Sequence, residues 1–91
     1  MNNLEKARLI INEVDKEMIE LFKKRMEAAK LVAQYKKENN LPITDKEREM
    51  ALISKNLELL NDEELVEYYL IFFNGVLHAS KEYQKELIKK D

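Results

Sequence analysis

Arg25 and Lys36 stand where apolar residues are expected. Counting about 100° per residue from Leu4 along the first hydrophobic stretch, Arg25 falls at about 300° and Lys36 at about 320°. Met18 lies at about 320° and Val32 at about 280° on the same wheel, so both cations point into the apolar face. Arg8 lies at its edge, at about 40°. A buried cation is costly unless an anion meets it. Asp15, at about 20°, is one possible internal partner. A single such cation reads as a structural ion pair, or as a long side chain reaching for the rim. Three on one face shift the balance toward a site that binds an anion.

Two other places carry polar groups in suggestive positions. In the last third of the chain, the apolar face Val66, Tyr69, Phe73, Val76, Leu77 continues through Ser80 and Gln84, which are i and i+4 neighbours. Apolar packing resumes at Leu87 and Ile88. On its own this pair reads as a hydrogen-bonded structural couple. The run Pro42-Ile43-Thr44-Asp45-Lys46-Glu47-Arg48-Glu49 opens a second helix. Asp45 suits its N-cap, and Arg48 and Glu49 read as a charged first turn that complements the helix dipole.

The composition removes most other chemistry. The 91 residues include no Cys and one His, His78. A thiolate nucleophile, a disulfide framework, a His-based zinc site and a Ser-His-Asp triad are thereby disfavoured. His78 falls on a helix flank and receives no role. The 16 basic residues against 18 acidic ones give a net charge of -2, which argues against a nucleic-acid binder. No stretch has the length or apolarity of a signal peptide or a membrane span, so a cytoplasmic protein is expected, with no membrane partner.

The elements that must position these groups are helices. Hydrophobic residues are 45% of the chain and charged residues 37%, with one Gly and one Pro. That argues against disorder and against turn-rich β folds. Asn39-Asn40-Leu41-Pro42 is the clear break, because Pro42 cannot continue a helix and disfavours one at Leu41. Leu60-Asn61-Asp62 is a weaker one, with Asn61 and Glu64 resembling a capping box. The reading is one all-α domain over residues 1–91, with helices at Asn3–Glu38, Lys46–Leu60 and Asp62–Lys89. Gly75 is expected to permit close helix packing, and Tyr68, Tyr69 and Tyr83 to serve as core or interface residues. The first helix carries Leu4, Ala7, Ile11, Val14, Met18, Leu21, Phe22, Ala28, Ala29 and Val32 on one face. At about 54 Å it is too long for one helix of ~22 Å and one of ~42 Å to cover. A second copy is the economical cover, with the long helices packed against each other in a symmetric dimer, and a monomeric three-helix hairpin with frayed ends is the alternative.

Taken in order, these pieces resemble the all-helical chorismate mutases. The matching string starts at Arg8 and passes through Val14-Asp15-Lys16, Lys24-Arg25-Met26 and Val32-Ala33-Gln34-Tyr35-Lys36. It continues through Leu41-Pro42-Ile43 and Asp45-Lys46-Glu47-Arg48-Glu49, and ends at Ser80 and Gln84. The resemblance implies rearrangement of chorismate to prephenate, with no cofactor and no metal. It implies that Arg25 and the other subunit's Arg8 bind the two substrate carboxylates, and that Lys36 and Gln84 contact the ether oxygen. Glu49 and the backbone near Asp45 would hold the ring hydroxyl, Arg48 would help order the pocket, and Ser80 would hydrogen-bond a carboxylate. It also implies an intertwined helical homodimer, and because the chain ends without a dehydratase, dehydrogenase or regulatory extension, a stand-alone mutase is expected.

Such an intramolecular reaction needs no nucleophile or proton shuttle, which suits what the sequence lacks. It needs a pocket that selects the compact conformer and donors that stabilise charge growing on the ether oxygen. Two alternatives remain open at this stage. One is an isochorismate-pyruvate lyase of the same fold. The other is a non-catalytic helical dimer, against which the inward Arg25, Lys36, Ser80 and Gln84 weigh.

Overall fold

A computed structural model describes residues 1–89, and they form three α-helices and one short 3-10 turn. The helices are α1 (Asn3–Glu38), α2 (Lys46–Leu60) and α3 (Val66–Lys89), with the turn at Glu63–Leu65 between α2 and α3. Among the described residues there is no strand, and no helix is long and apolar enough to cross a membrane.

The helix ends are set by local chemistry. Asn2 caps α1, its Oδ1 accepting from the Glu5 N–H at 2.8 Å. At the other end Asn40 takes the left-handed conformation, φ 54°. The Leu41 N–H then donates back to the Lys36 carbonyl at 2.9 Å and the Asn40 N–H to that of Lys37. This is the double bond of a Schellman cap, which reverses the chain before Pro42. Asp45 caps α2 as expected, its Oδ1 accepting from the Arg48 N–H at 3.1 Å.

The junction of α2 and α3 departs from the expected capping box. Asn61 does not cap α3; it closes α2 in the left-handed conformation, φ 46°, with its N–H on the Leu57 carbonyl. Asp62 is the cap, accepting from the Glu64 N–H at 3.1 Å. Asn tolerates the left-handed region better than most residues and is consumed by the chain reversal. The helix expected from Asp62 therefore begins as a 3-10 turn and becomes α-helical only at Val66.

The core lies where α3 crosses the C-terminal half of α1. Ala29 and Ala33 of α1 are buried against the α3 face that carries Phe73, Leu77, Ser80 and Gln84. Small side chains at 29 and 33 let the two helices approach, and Ala33 is the most buried of these at 1% exposed. Tyr69 stacks on Phe73 with centroids 5.6 Å apart, and its hydroxyl accepts from Asn56 Nδ2 at 3.0 Å, tying α2 to α3. Tyr83 is half-buried, whereas Tyr68 is exposed. His78 is exposed. Gly75 does not serve close packing within the chain: a Cβ there would meet nothing within 4 Å.

The N-terminal half of α1 has no cover. Leu4, Ile11, Val14, Met18, Leu21 and Phe22 are all 43–63% exposed. The chain measures 55 × 28 × 15 Å with a radius of gyration of 16.4 Å. A compact chain of this length has about 12 Å.

Candidate active site

Each polar residue is brought to the site by helical periodicity. Positions 25, 29, 32 and 36 repeat at i, i+4, i+7 and i+11 along α1, so Arg25 and Lys36 share a face with Ala29 and Val32. On α3, positions 77, 80, 81 and 84 fall at i, i+3, i+4 and i+7 and likewise share a face. The first turn of α2 supplies Arg48 and Glu49, and the loop after Pro42 supplies Ile43 and Asp45. Together these residues, with Ala28 and Leu52, line one cavity of about 380 Å³. That volume lies within the range of small-molecule sites.

The wall is held by a small set of defined contacts. Lys36 Nζ donates to the Ile43 carbonyl at 2.6 Å, which ties the end of α1 to the loop. An ammonium has three donors, so two remain for the cavity. The Arg25 guanidinium carbon lies 5.7 Å from the Phe73 ring centroid, a cation–π placement. Because Phe73 is stacked on Tyr69, and Tyr69 is bonded to Asn56, the seat of Arg25 is braced from α2 through α3.

Ser80 and Gln84 are both buried, at 7% and 6% exposed. Gln84 Nε2 donates to Ser80 Oγ at 3.0 Å. The serine acts as acceptor in this bond, so its own hydroxyl hydrogen is free to donate elsewhere. The amide nitrogen likewise keeps its second hydrogen. Gln84 Oε1 is buried without a partner among the described residues. An unmatched buried acceptor costs about 1–3 kcal/mol, so this pair is not the self-satisfied structural couple that the sequence pattern alone suggests.

Seven of the eight residues singled out in the sequence therefore meet at one cavity: Arg25, Lys36, Asp45, Arg48, Glu49, Ser80 and Gln84. Arg48 and Glu49, which read blandly as a solvated first turn, face it. Arg8 does not. It is exposed on α1, 17 residues or about 26 Å along the helix from Arg25. The residue that sequence reasoning passes over is Lys81, whose Nζ lies 3.1 Å from Glu49 Oε2. Its signal is its place between Ser80 and Gln84 on a face already marked as polar.

Among the described residues, the cavity is lined by no thiol, imidazole or cluster of metal ligands. Its cations are Arg25, Lys36, Arg48 and Lys81, and its carboxylates are Asp45 and Glu49. With its free hydroxyl and amide hydrogens, it can grip a small anion at several points and direct donors at an oxygen within it.

Comparison with known proteins identifies the family. The chain is 37% identical over 91 residues to a bifunctional chorismate mutase/prephenate dehydratase of Buchnera aphidicola subsp. Baizongia pistaciae, covering 98% of this chain and 24% of that protein. It is 34% identical over 90 residues to the protein of the same name from Buchnera aphidicola subsp. Schizaphis graminum, covering 98% and 23%. The chain thus spans about a quarter of the length of these curated relatives. No solved structure matches it. The model of type II chorismate mutases matches residues 7–85, a span that runs from just before Arg8 to just past Gln84 and takes in every residue singled out above. The chain belongs to the type II chorismate mutase family.

Proposed function

We propose that this chain rearranges chorismate to prephenate in the cavity between α1, α2 and α3. The observation that carries the reading is the convergence of two cations from the apolar face of α1 with the Ser80–Gln84 pair of α3, inside the span matched by the family. The substrate is a dicarboxylate with an ether oxygen and a ring hydroxyl. Arg25 grips one carboxylate with its planar fork, and the Ser80 hydroxyl donates to a carboxylate. Lys36 and the second N–H of Gln84 point donors at the ether oxygen, where negative charge grows as the C–O bond breaks. Glu49 accepts from the ring hydroxyl beside the backbone at Asp45, and Arg48 orders that side of the pocket. Holding the chain ends of the substrate together converts an improbable conformer into the bound one. Preorganised donors at the ether oxygen supply the rest, each worth roughly 100–1,000-fold in rate.

The working unit is a homodimer in this reading. The accessible surface is 7777 Å², against about 5,600 Å² for a folded monomer of this mass. An excess of about 2,200 Å² per chain corresponds to an interface in the obligate class. The uncovered stripe of α1 is the surface it would bury. Packing two α1 helices together also brings Arg8 of one copy toward the pocket of the other, where it grips the second carboxylate.

The test is a chorismate-depletion assay on the purified chain with identification of the product. Prephenate is the expected product. Salicylate and pyruvate would show a lyase acting on contaminating isochorismate, and no turnover with no binding by calorimetry would show a non-catalytic dimer.

A further inference from the structure

Lys81 has no part in the scheme above, yet it contacts one of its members. Lys81 and Glu49 bridge α3 and α2 at 3.1 Å, with side chains 28% and 23% exposed. They are half-buried on the cavity wall, unlike the solvent-facing i, i+3 pairs Lys23–Glu20 and Lys85–Glu82. Only Oε2 of Glu49 is engaged, and among the described residues nothing bonds Oε1.

Three of the other charges lining the cavity have other attachments, and the fourth, Arg48, forms no ion pair with Glu49 among the described residues. On α1, Lys36 is drawn to the Ile43 carbonyl and Arg25 lies over Phe73. At the start of α2, Asp45 is occupied as the cap, accepting from the Arg48 backbone N–H. Lys81, from α3, is the cation in contact with Glu49. This chain lines the cavity with four cations against two carboxylates, a surplus of two positive charges to which Arg8 of the other copy adds in the dimer reading. Without Lys81 the surplus falls by one, and the charge of Glu49 faces an incoming dianion uncompensated.

We propose that Lys81 is a positioning residue that cancels the charge of Glu49 at the cavity wall and pins its carboxylate through Oε2, leaving Oε1 to accept from the hydroxyl of a doubly negative substrate. This rests on the mutase reading above. It is a role through Glu49, not a contact with the reacting atoms. Truncating one member of a half-buried pair leaves the other charge unmatched, so the loss falls on binding.

The experiment is a double-mutant cycle in steady-state kinetics with chorismate: wild type, K81M, E49Q and E49Q/K81M, with K81R and K81Q beside them. K81M should raise KM about tenfold with kcat within about threefold of wild type, a loss of about 1.4 kcal/mol in binding. K81Q, polar and suited to a half-buried position, should do the same, which separates the effect from any folding defect of K81M. K81R should return KM to within about threefold of wild type. In the E49Q background, adding K81M should change KM less than about twofold, because the charge it leaves bare is gone. An equal effect of K81M in both backgrounds, a kcat loss without a KM change, or wild-type kinetics in both K81M and K81Q would each overturn the proposal. A wild-type chain that does not turn over chorismate would overturn the mutase reading itself, and this role with it.

Discussion

Phe22→Ala should separate the dimer from the fold. Phe22 lies on the uncovered stripe of α1 and is 53% exposed within one chain. An aromatic side chain offers roughly 200 Å², so a partner covering it removes about 100 Å² from water. At about 25 cal/mol per Å², and allowing for what alanine still buries, truncation costs about 2 kcal/mol per chain at the interface. The symmetric dimer contains the position twice, giving about 4 kcal/mol and a dissociation constant roughly 1,000-fold weaker. Packing of the ring within its own chain is lost equally from monomer and dimer, so it cancels from that constant. Sedimentation equilibrium from nanomolar to about 100 µM measures the shift. Mutase activity read over the same dilution series should fall with the dimer fraction, because each pocket would lose the partner's Arg8. An unchanged dissociation constant would show that the stripe is not the interface. A wild-type monomer with full specific activity at about 10 µM would remove the dimer from the mechanism altogether.

Three further outcomes follow from the placement of single residues. Arg8→Ala and Lys36→Ala chains, each inactive alone, should recover about a quarter of wild-type activity after equal mixing and subunit exchange, because half the dimers are mixed and each mixed dimer has one intact site; no recovery would mean that Arg8 serves its own chain or none. Arg25→Ala should abolish useful turnover while shifting Tm only slightly, since the loss of its cation–π seat on Phe73 is offset by relief from a half-buried charge; outright unfolding, seen by circular dichroism, would make Arg25 structural. Gln84 can donate at any ordinary pH, so wild-type kcat/KM should stay level from mildly acidic to mildly alkaline pH; Gln84→Glu donates only when protonated, should work best in acid, and should lose up to about tenfold per pH unit as its carboxylate ionises. Superimposable profiles for the two proteins would show that residue 84 does not face the ether oxygen.

The helices are legible because their ends are written in local chemistry. Pro42 and Asp45 act within one turn of themselves, and the bounds of α1 and α2 are those the sequence predicts. Asn61 misleads because an Asn before an acidic turn suits both an N-cap and a left-handed C-terminus, and only the path of the chain decides. Arg25 and Lys36 are visible as charges on an apolar face, and the cavity does collect them. Ala33 escapes notice as core because it falls at about 20° on the helical wheel, at the edge of the stripe beside Asp15, though closeness to α3 makes it the most buried of the residues in that crossing. Lys81 escapes notice for the opposite reason: in a chain with 16 basic residues, a lysine on a helix flank looks like all the others until Glu49 is seen opposite. The reach of Arg8 lies beyond what one chain can display.

The bond from Lys36 to the Ile43 carbonyl has a consequence for how this site can vary. The acceptor is a main-chain oxygen, so no replacement of the Ile43 side chain can delete it. The ammonium at the heart of the proposed chemistry is therefore insulated from ordinary point substitution at its anchor. It is exposed instead to changes in chain length. One residue gained or lost between Asn39 and Asp45 would displace the carbonyl by about 3.5 Å, more than the bond itself, while leaving all three helices able to form. Along this hairpin, tolerance of substitution and intolerance of insertion should therefore go together.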